Sequence, residues 1–357
     1  MHKPILPVAA ALMLGCLDMS WAQGPLVSNL EPVRKIEARS LTEDDNKTLA
    51  TNLSGVACMR QSADARVCLV IDDQGRFAQF AKLEGSQLIG GEKFRLIGDE
   101  PASSTLGKEP QKASCSEGKA KFKDLDGEAV AFAEAHFYVS GSHGCSRKSM
   151  KFRTSSFIVA RLRVDDKGKP VSHEAETTYR LAEVLSTATE IKAFFGKDLT
   201  KANGLNVEGI AVTGGNFIAG LRGPVDKGAS SLVSVRLDHL FSRESPPPPG
   251  DVRVTALLLG KDMGVRDLAA LSDGRLLVLA GPAQEQKHVP YSFFLVDPKV
   301  PEARIHLATI KDVVEDGESG KAEGVVVLDA TADALRVLVV FDGLLNGGPR
   351  EYRLLLH

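Results

Sequence analysis

The chain has 357 residues, of which 43% are hydrophobic and 25% are charged, and its formal net charge is -2. This near-neutral balance is typical of a globular protein and gives no support for nucleic-acid binding, which favours a basic face. Beyond the N-terminus, no run approaches the roughly 20 apolar residues that a membrane span needs.

The first residues are typical of an export signal. Met1-His-Lys3 is a short basic segment, residues 5–17 form an apolar run, and small residues stand at Ser20 and Ala22. That order of features is the pattern of a cleavable signal peptide. We therefore predict a signal peptide over 1–22 and an exported, periplasmic protein.

An alternative start is a lipoprotein signal, because Met13-Leu-Gly-Cys16 places a cysteine after a small residue at the end of the apolar run. The protein would then be anchored through Cys16. In both cases we expect a flexible lead-in over 23–32, followed by a single domain over 33–357.

Cleavage after Ala22 leaves four cysteines, and an even number in an exported chain indicates disulfides. Cys58 and Cys68 lie in consecutive predicted strands and can pair across them. Cys115 and Cys145 would then close a second loop. The alternative is four reduced, partly buried thiols, since the spacing does not suggest a metal site.

A short pattern recurs along the chain, in which a polar, mostly acidic residue precedes a small or apolar run. The interval between successive copies is 74, 80, 59 and 56 residues. The aligned positions are Ser54, Glu128, Glu208, Asp267 and Glu323.

Each copy continues with a second apolar run, a loop rich in Gly, Pro or charge, and a third short strand. Short β runs at a repeat length near that of known blades predict an all-β fold, a β-propeller. We expect five blades, or six if one is hidden in the longer second interval. The last copy lacks a fourth strand, so the strand predicted over 33–38 is expected to close the ring.

One segment changes period. From 181 to 195, apolar residues recur at helical spacing, and Gly196 can end the helix. We predict one inserted helix there, packed on the ring through Leu181, Val184, Leu185, Ala188, Ile191 and Phe195.

The blade starts carry a family resemblance. Asp126-Gly-Glu128-Ala-Val, Val207-Glu-Gly-Ile-Ala and Ala322-Glu-Gly-Val resemble the bacterial domain of unknown function 3616 family, which is similar to the esterase-like phytase propellers. The resemblance covers most of the chain from about Ser54 onward and implies an exported β-propeller without an assigned reaction. Two positions depart from the pattern: Ser54 is not acidic, and Asp267 is followed by Leu268 instead of glycine.

Propeller geometry predicts where these residues meet. The start of the first strand and the end of the second lie on one face, because consecutive strands are antiparallel. The aligned acidic residues Glu128, Glu208, Asp267 and Glu323 should therefore share a rim with His143, Arg222, Gly281 and Asp342. Several carboxylates around one channel need a cation or basic groups to stay charged, and calcium prefers oxygen ligands.

A structural role for the same residues is the alternative. A carboxylate at a strand start can accept backbone hydrogen bonds from the neighbouring blade. His143 can fix a loop, and Arg222 can pair with Glu208. The two acidic residues Asp72 and Asp73 are interpreted as the opening of a hairpin turn.

Two classes of function follow. The first is a binding module for a small molecule or a protein at the acidic central face, as a monomer without nucleic acid. The second is a calcium-assisted phosphoester or ester hydrolase. In the hydrolase, Glu128 or Glu208 would be the general base, His143 or Arg222 would stabilise the leaving group, and the metal ligands would be the four acidic positions Glu128, Glu208, Asp267 and Glu323. The pattern does not decide whether the protein is an enzyme.

Overall fold

A computed structural model describes residues 29–44, 47–111, 121–145, 152–244 and 252–356. The main strands form five antiparallel sheets, and the first strand of each sheet contacts the first strands of the two neighbouring sheets, so that the five close into a ring. The fold is therefore a β-propeller, and the predicted five blades are confirmed. The predicted signal peptide and Cys16 lie outside the described residues.

The chain enters the described structure through three very short strands. These are β1 (Asn29–Leu30), β2 (Arg34–Lys35) and β3 (Glu37–Arg39).

Blades 1 to 3 follow in chain order, each listed from its inner to its outer strand. Blade 1 contains β4 (Leu53–Arg60), β5 (Ala65–Asp72), β6 (Phe77–Glu84) and β7 (Gln87–Arg95). Blade 2 contains β8 (Gly127–Ala133), β9 (His136–Gly141), β10 (Val159–Arg163) and β11 (Glu176–Thr178). Blade 3 contains β12 (Asn206–Thr213), β13 (Asn216–Gly223), β14 (Ala229–Arg236) and β15 (Arg253–Leu258).

Two further blades complete the ring, with a small hairpin between them. Blade 4 contains β16 (Met263–Ala270), β17 (Leu276–Pro282), β18 (Ser292–Asp297) and β19 (Val300–Ile310). The hairpin consists of β20 (Val314–Glu315) and β21 (Glu318–Ser319). Blade 5 contains β22 (Lys321–Ala330), β23 (Ala334–Asp342) and β24 (Arg350–Leu355).

The N-terminal segment spans three blades. β2 pairs antiparallel with β24 and supplies the missing fourth strand of blade 5, which confirms the predicted closure. Before it, β1 pairs in parallel with β19 of blade 4, and after it β3 pairs in parallel with β7 of blade 1. Residues 29–30 of the expected flexible lead-in are thus part of a sheet.

The helical content is short and scattered. In place of the single helix predicted over 181–195, the chain forms α1 (Arg180–Thr187), and a 3-10 turn follows at Lys192–Phe194. The helix ends because Ala188 adopts an extended conformation (ψ 120°). The two shorter helices α2 (Leu199–Ala202) and α3 (Leu237–Phe241) have no counterpart in the prediction.

The core is divided into five hydrophobic clusters, one between each pair of neighbouring blades in the described structure. Each inner strand contributes to two clusters because successive side chains point to opposite faces of the sheet. On β5, for example, Leu69 and Ile71 pack toward blade 2, whereas Cys68 and Val70 pack toward blade 5. The apolar stripe of α1 fills the cluster between blades 2 and 3, as predicted.

The predicted disulfide between Cys58 and Cys68 joins the paired strands β4 and β5, and it is confirmed. Cys145 is also disulfide-bonded. Cys115, its predicted partner, lies outside the described residues. Among those that are described, no helix is both long and apolar enough to cross a membrane.

Candidate functional site

Every inner strand is interrupted by a bulge at the same place near its start. In blade 3, Val207 lies opposite Leu221 and Gly209 opposite Gly220, so Glu208 is an extra residue in the register between them. The same register shift occurs in the other four blades. Bulges re-aim side chains and often lie beside functional sites. The bulged residues form what we call the first ring: Ser54, Glu128, Glu208, Arg266 and Glu323.

A second set of equivalent positions lies at the end of the second strand of each blade, on the same face of the propeller. Each follows the residue that pairs just before the bulge. We call these positions the second ring: Asp73, Ser142, Arg222, Gly281 and Asp342.

The first ring corrects the sequence alignment in blade 4, where Arg266 and not Asp267 occupies the bulge. Asp267 is equivalent to Gly209 of blade 3, the residue after the bulge. A Cβ on Gly209 would lie 2.8 Å from the Cα of Asp267, so this glycine is required because neighbouring inner strands approach closely there. Matching the acidic charge shifted the predicted position by one residue.

Asp267 has the structural role that the sequence left open as an alternative. Its side chain is fully buried and accepts hydrogen bonds from the backbone N–H of Leu268 (2.8 Å) and of Val325 in blade 5 (2.7 Å). Burial raises the pKa of Asp267 well above its usual value, although these two hydrogen bonds oppose the shift. The carboxyl group joins blade 4 to blade 5.

Two arginines and two glutamates form a buried chain across blades 3, 4 and 5. Arg222 Nη1 donates to Glu208 Oε1 (2.7 Å), as predicted, and its Nε donates to the carbonyl of Ala283 (2.8 Å). Arg266 Nη2 lies 3.1 Å from Glu208 Oε2 and also donates to Glu323. All four charged side chains are at least 90% buried, so each depends on its partner for charge compensation.

The pKa values follow from this burial. Burial disfavours the charged form of Arg266, but Glu208 and Glu323 outweigh it and raise the pKa of the guanidinium. Burial raises the pKa of Glu323 to about 7, against the lowering effect of Arg266. Glu128 also contributes to the raised pKa of Arg266, so its carboxylate interacts electrostatically with the same series of ion pairs.

The opposite side of the face, where blades 5, 1 and 2 meet, is acidic. Burial raises the pKa of Asp73 to about 8, and the neighbouring carboxylates of Asp72, Asp126, Asp342 and Glu323 add to the shift. Within the described structure, Asp73 Oδ1 and Asp72 Oδ2 are buried without a hydrogen-bond partner. The sequence assigned this pair to a turn, whereas the repeat places Asp73 in the second ring.

Two of the other acidic side chains have polar partners. The hydroxyl of Ser142 donates to Asp126, and Lys321 Nζ donates to Asp342 Oδ2 (2.8 Å). Burial raises the pKa of Asp72 to about 6. The face is thus polarised, with arginines on the side of blades 3 and 4 and carboxyl groups on the side of blades 5, 1 and 2.

His143 does not join this face. It follows Ser142, which holds the ring position, and is fully buried with its ring 5.9 Å from that of Phe157. Its Nδ1 lies 2.9 Å from the carbonyl oxygen of Gly141. Burial lowers the pKa of His143 to about 4. The imidazole is therefore neutral at physiological pH and fixes the loop.

Tyr291 fills the place that the second ring leaves open in blade 4. A Cβ on Gly281 would lie 2.5 Å from Tyr291 Cδ1, so only glycine accommodates the ring. Burial raises the pKa of Tyr291 to about 12, and Arg266 opposes the shift. No sequence signal pointed to Tyr291, because it lies outside the acidic motif that recurs at the blade starts.

Three of the four acidic positions predicted as calcium ligands are bonded to other groups of the protein. Asp267 bonds to backbone, and Glu208 and Glu323 hold Arg266. In the part of the chain that the structure describes, no group of three or more His, Cys, Asp or Glu side chains is arranged to hold a metal ion. Calcium binding stays a prediction.

The fold and this face define a five-bladed β-propeller with a polarised ring of buried charges at one end. The model of the family described as proteins of unknown function, DUF3616, matches residues 165–351. The chain belongs to that family, which has no assigned reaction. No curated protein matches the sequence.

Solved structures with a similar fold include several carbohydrate-active propellers. The chain is 10% identical to a GH43 β-1,3-galactosidase, with a TM-score of 0.45 over 92% of this chain and 60% of that one. An exo-β-1,3-galactanase from Phanerochaete chrysosporium is 10% identical, with a TM-score of 0.44 over 90% of this chain and 64% of that one. The chain thus spans less than two thirds of either. An α-L-arabinanase from Penicillium chrysogenum is 10% identical, with a TM-score of 0.39 over 91% of this chain and 98% of that one. Likenesses this distant carry no argument about what this chain binds.

Proposed function

We propose that this protein is an exported binding module that takes a small polar ligand at the face formed by the two rings. The observation that carries the proposal is Asp73, whose buried oxygen has no hydrogen-bond partner in the described structure. Buried polar groups are normally paired, and an unpaired one needs an explanation. A ligand that donates hydrogen bonds would supply the missing partner.

The chemistry of the face favours a ligand with ammonium or hydroxyl groups. Asp72 and Asp73 lie together with Asp126 and Asp342. Ser142 and Lys321 donate to the last two, and the backbone N–H of Gln74 donates to Asp72 Oδ1 (2.8 Å), whereas Asp72 Oδ2 and Asp73 Oδ1 have no hydrogen-bond partner in the described structure. A cationic amine would neutralise this side directly, and a polyol would donate hydrogen bonds to it. The arginines on the other side are already paired and fix the orientation of the glutamates.

Export is part of the proposal. The N-terminal segment 1–22 has the pattern of a signal peptide, and the Cys58–Cys68 disulfide is of the kind that forms in an oxidising compartment. The periplasm suits both features, with anchoring through Cys16 as the alternative.

The test is a thermal-shift screen of polyamines and neutral oligosaccharides against the protein. Asp73→Asn keeps the shape of the side chain and removes its ability to ionise, and Asp166→Asn makes the same substitution in an exposed turn of blade 2. We expect a ligand that stabilises the parent and the Asp166 variant but loses at least tenfold in affinity with the Asp73 variant. A ligand that binds all three proteins equally would exclude the ring face as its site.

A hydrolase is the second candidate, because a carboxylic acid that holds its proton near neutral pH can act as a general acid. Asp73, with a pKa of about 8, fits that role better than His143, which is buried and neutral. Glu128 remains the candidate base. Turnover of p-nitrophenyl phosphate or acetate, with and without calcium, lost in Glu128→Gln and in Asp73→Asn, would support hydrolysis. Absence of turnover in the parent would leave binding as the function.

A further inference from the structure

The outer edge of a propeller blade exposes backbone groups with which another extended segment can pair. This chain covers several of its own edges in that way. β3 lies along β7 in blade 1, β1 lies along β19 in blade 4, and Leu106 bridges Thr178 at the edge of blade 2, each time in parallel. In the described part of the chain, β15 of blade 3 pairs only with β14. Among the described residues, blade 3 therefore has an open edge of the kind that accepts a parallel segment elsewhere in the ring.

A groove follows this edge, between blades 3 and 4. It consists of two depressions of about 900 and 630 Å³. β15 contributes Leu258 to the first and Arg253 and Thr255 to the second, so the strand runs along the groove. Its six residues extend over about 20 Å, enough for an extended segment of similar length.

The groove is basic. Five cationic side chains of the groove take part in no ion pair and in no side-chain hydrogen bond within the described structure. They are Lys227, Lys261 and Arg304 in the first depression and Arg253 and Lys299 in the second.

Opposing charge is sparse along the same walls. Asp262 and Glu302 are the acidic residues that line the first depression, and none lines the second. Leu258, 47% exposed, and Phe294 add an apolar patch at one end. An occupant with matching chemistry is extended, negatively charged and apolar at intervals.

We propose that the open edge of β15 and the groove beside it bind an extended acidic segment of a partner protein by parallel strand addition. Backbone hydrogen bonds to β15 would give affinity, and alternate side chains would enter the groove. Acidic side chains would meet the unpaired lysines and arginines, which sets the choice of partner and speeds association. This surface lies at the periphery of the ring, so it is independent of the ring-face ligand proposed above.

The test uses a fluorescein-labelled octapeptide of alternating glutamate and valine, measured by fluorescence polarisation with the intact protein. The companion probes are the same peptide with N-methyl groups on alternate amides, a lysine–valine octapeptide, and an oligo-dT of eight nucleotides. We expect the first probe to bind at least tenfold more tightly than the other three. We also expect slower amide hydrogen exchange at Arg253–Leu258 when it binds.

The protein variant is Lys261→Glu combined with Arg304→Glu, and its matched control is Lys167→Glu combined with Lys169→Glu in an exposed turn of blade 2. The groove variant should lose at least tenfold in affinity, while the control binds like the parent and all three proteins melt within about 2 °C of each other. Equal binding of the N-methylated peptide would exclude strand addition. Equal or tighter binding of the lysine peptide or of oligo-dT, or no binding of the acidic peptide, would overturn the proposal as well.

Discussion

Replacing Asp73 with asparagine should stabilise the protein near neutral pH. A solvated aspartate has a pKa of 3.8, whereas the pKa of Asp73 in the folded protein is about 8, because its carboxyl group is buried among other carboxylates. Between these values the folded state holds one more proton than the unfolded state, so stability falls as the pH rises from about 4 to about 8. Asparagine resembles the neutral acid and cannot ionise, so the variant escapes this loss.

The magnitude follows from the shift. Four pKa units correspond to a ceiling of about 5 kcal/mol, at about 1.36 kcal/mol per unit. Asp73 is only partly buried, and water screens part of its interaction with the other carboxylates. We therefore expect about 2 kcal/mol at pH 8 and no gain at pH 4, which corresponds to a melting temperature about 3 °C higher for a chain of this size.

The assay is urea unfolding of the parent, Asp73→Asn and Asp166→Asn at pH 4, 6 and 8. The stability of Asp73→Asn should depend less steeply on pH than that of the parent, whereas Asp166→Asn should show the same pH dependence as the parent. Equal slopes for the parent and Asp73→Asn, or a less stable Asp73 variant at pH 8, would show that Asp73 ionises normally and would refute the reasoning.

Three further predictions concern the structural roles of buried groups. Arg266→Met leaves two buried glutamates without their shared partner and should cost about 3–5 kcal/mol in urea unfolding, whereas Arg275→Ala, at an exposed pair, should cost less than about 1 kcal/mol. Asp267→Asn should cost about 1–3 kcal/mol, because it can no longer accept from both backbone N–H groups, yet should leave ligand affinity at the ring face unchanged in titrations. Burial lowers the pKa of His143 to about 4, so this residue should make the fold less stable as the pH falls from about 6.5 toward 4. In His143→Phe the melting temperature should therefore depend less on pH over that range than it does in the parent. Asp73 acts in the opposite direction over the same pH range, so the comparison is between the parent and His143→Phe, and equal slopes of stability against pH in these two proteins would contradict that last expectation.

The sequence predicted the fold because the blade repeat is carried by short apolar runs that pack on both faces. Strands such as β12 are almost wholly buried, and most of their residues are small or apolar. The closing strand was predictable for a related reason, since the last repeat visibly lacks one. The length of the inserted helix was less predictable, because a helical spacing of apolar residues does not reveal that the backbone of Ala188 is extended and ends the helix.

The ring face was only partly predictable. The positions of Glu128, Glu208 and Glu323 follow from the motif, and so does the pairing of Arg222 with Glu208. Arg266 was missed because the alignment matched charge, whereas the repeated property is the bulge, which any side chain can occupy.

Asp73 and Tyr291 were missed for different reasons. Asp73 stands beside a turn-forming sequence, and an acidic residue there is usually solvated. Most of the carboxylates that raise its pKa further lie in blades 2 and 5, which are remote in the sequence: Asp126, Asp342 and Glu323. Tyr291 reaches the face through the gap above Gly281, a contact that no local pattern records.

The route of the N-terminal segment has a consequence for how the molecule forms. Val33 donates its backbone N–H to the carbonyl of Glu351 (2.7 Å), and Arg34 Nε donates to the carboxylate of the same residue (2.8 Å). Residues 33–34 can therefore pair only after blade 5, more than 300 residues later in the sequence, has been synthesised, and such non-local pairing slows folding. Until blade 5 exists, the first four blades form an open arc with two unprotected ends. A chain that folds from its N-terminal blades onward would pass through that arc, with the apolar faces at its two ends exposed to water until blade 5 closes the ring.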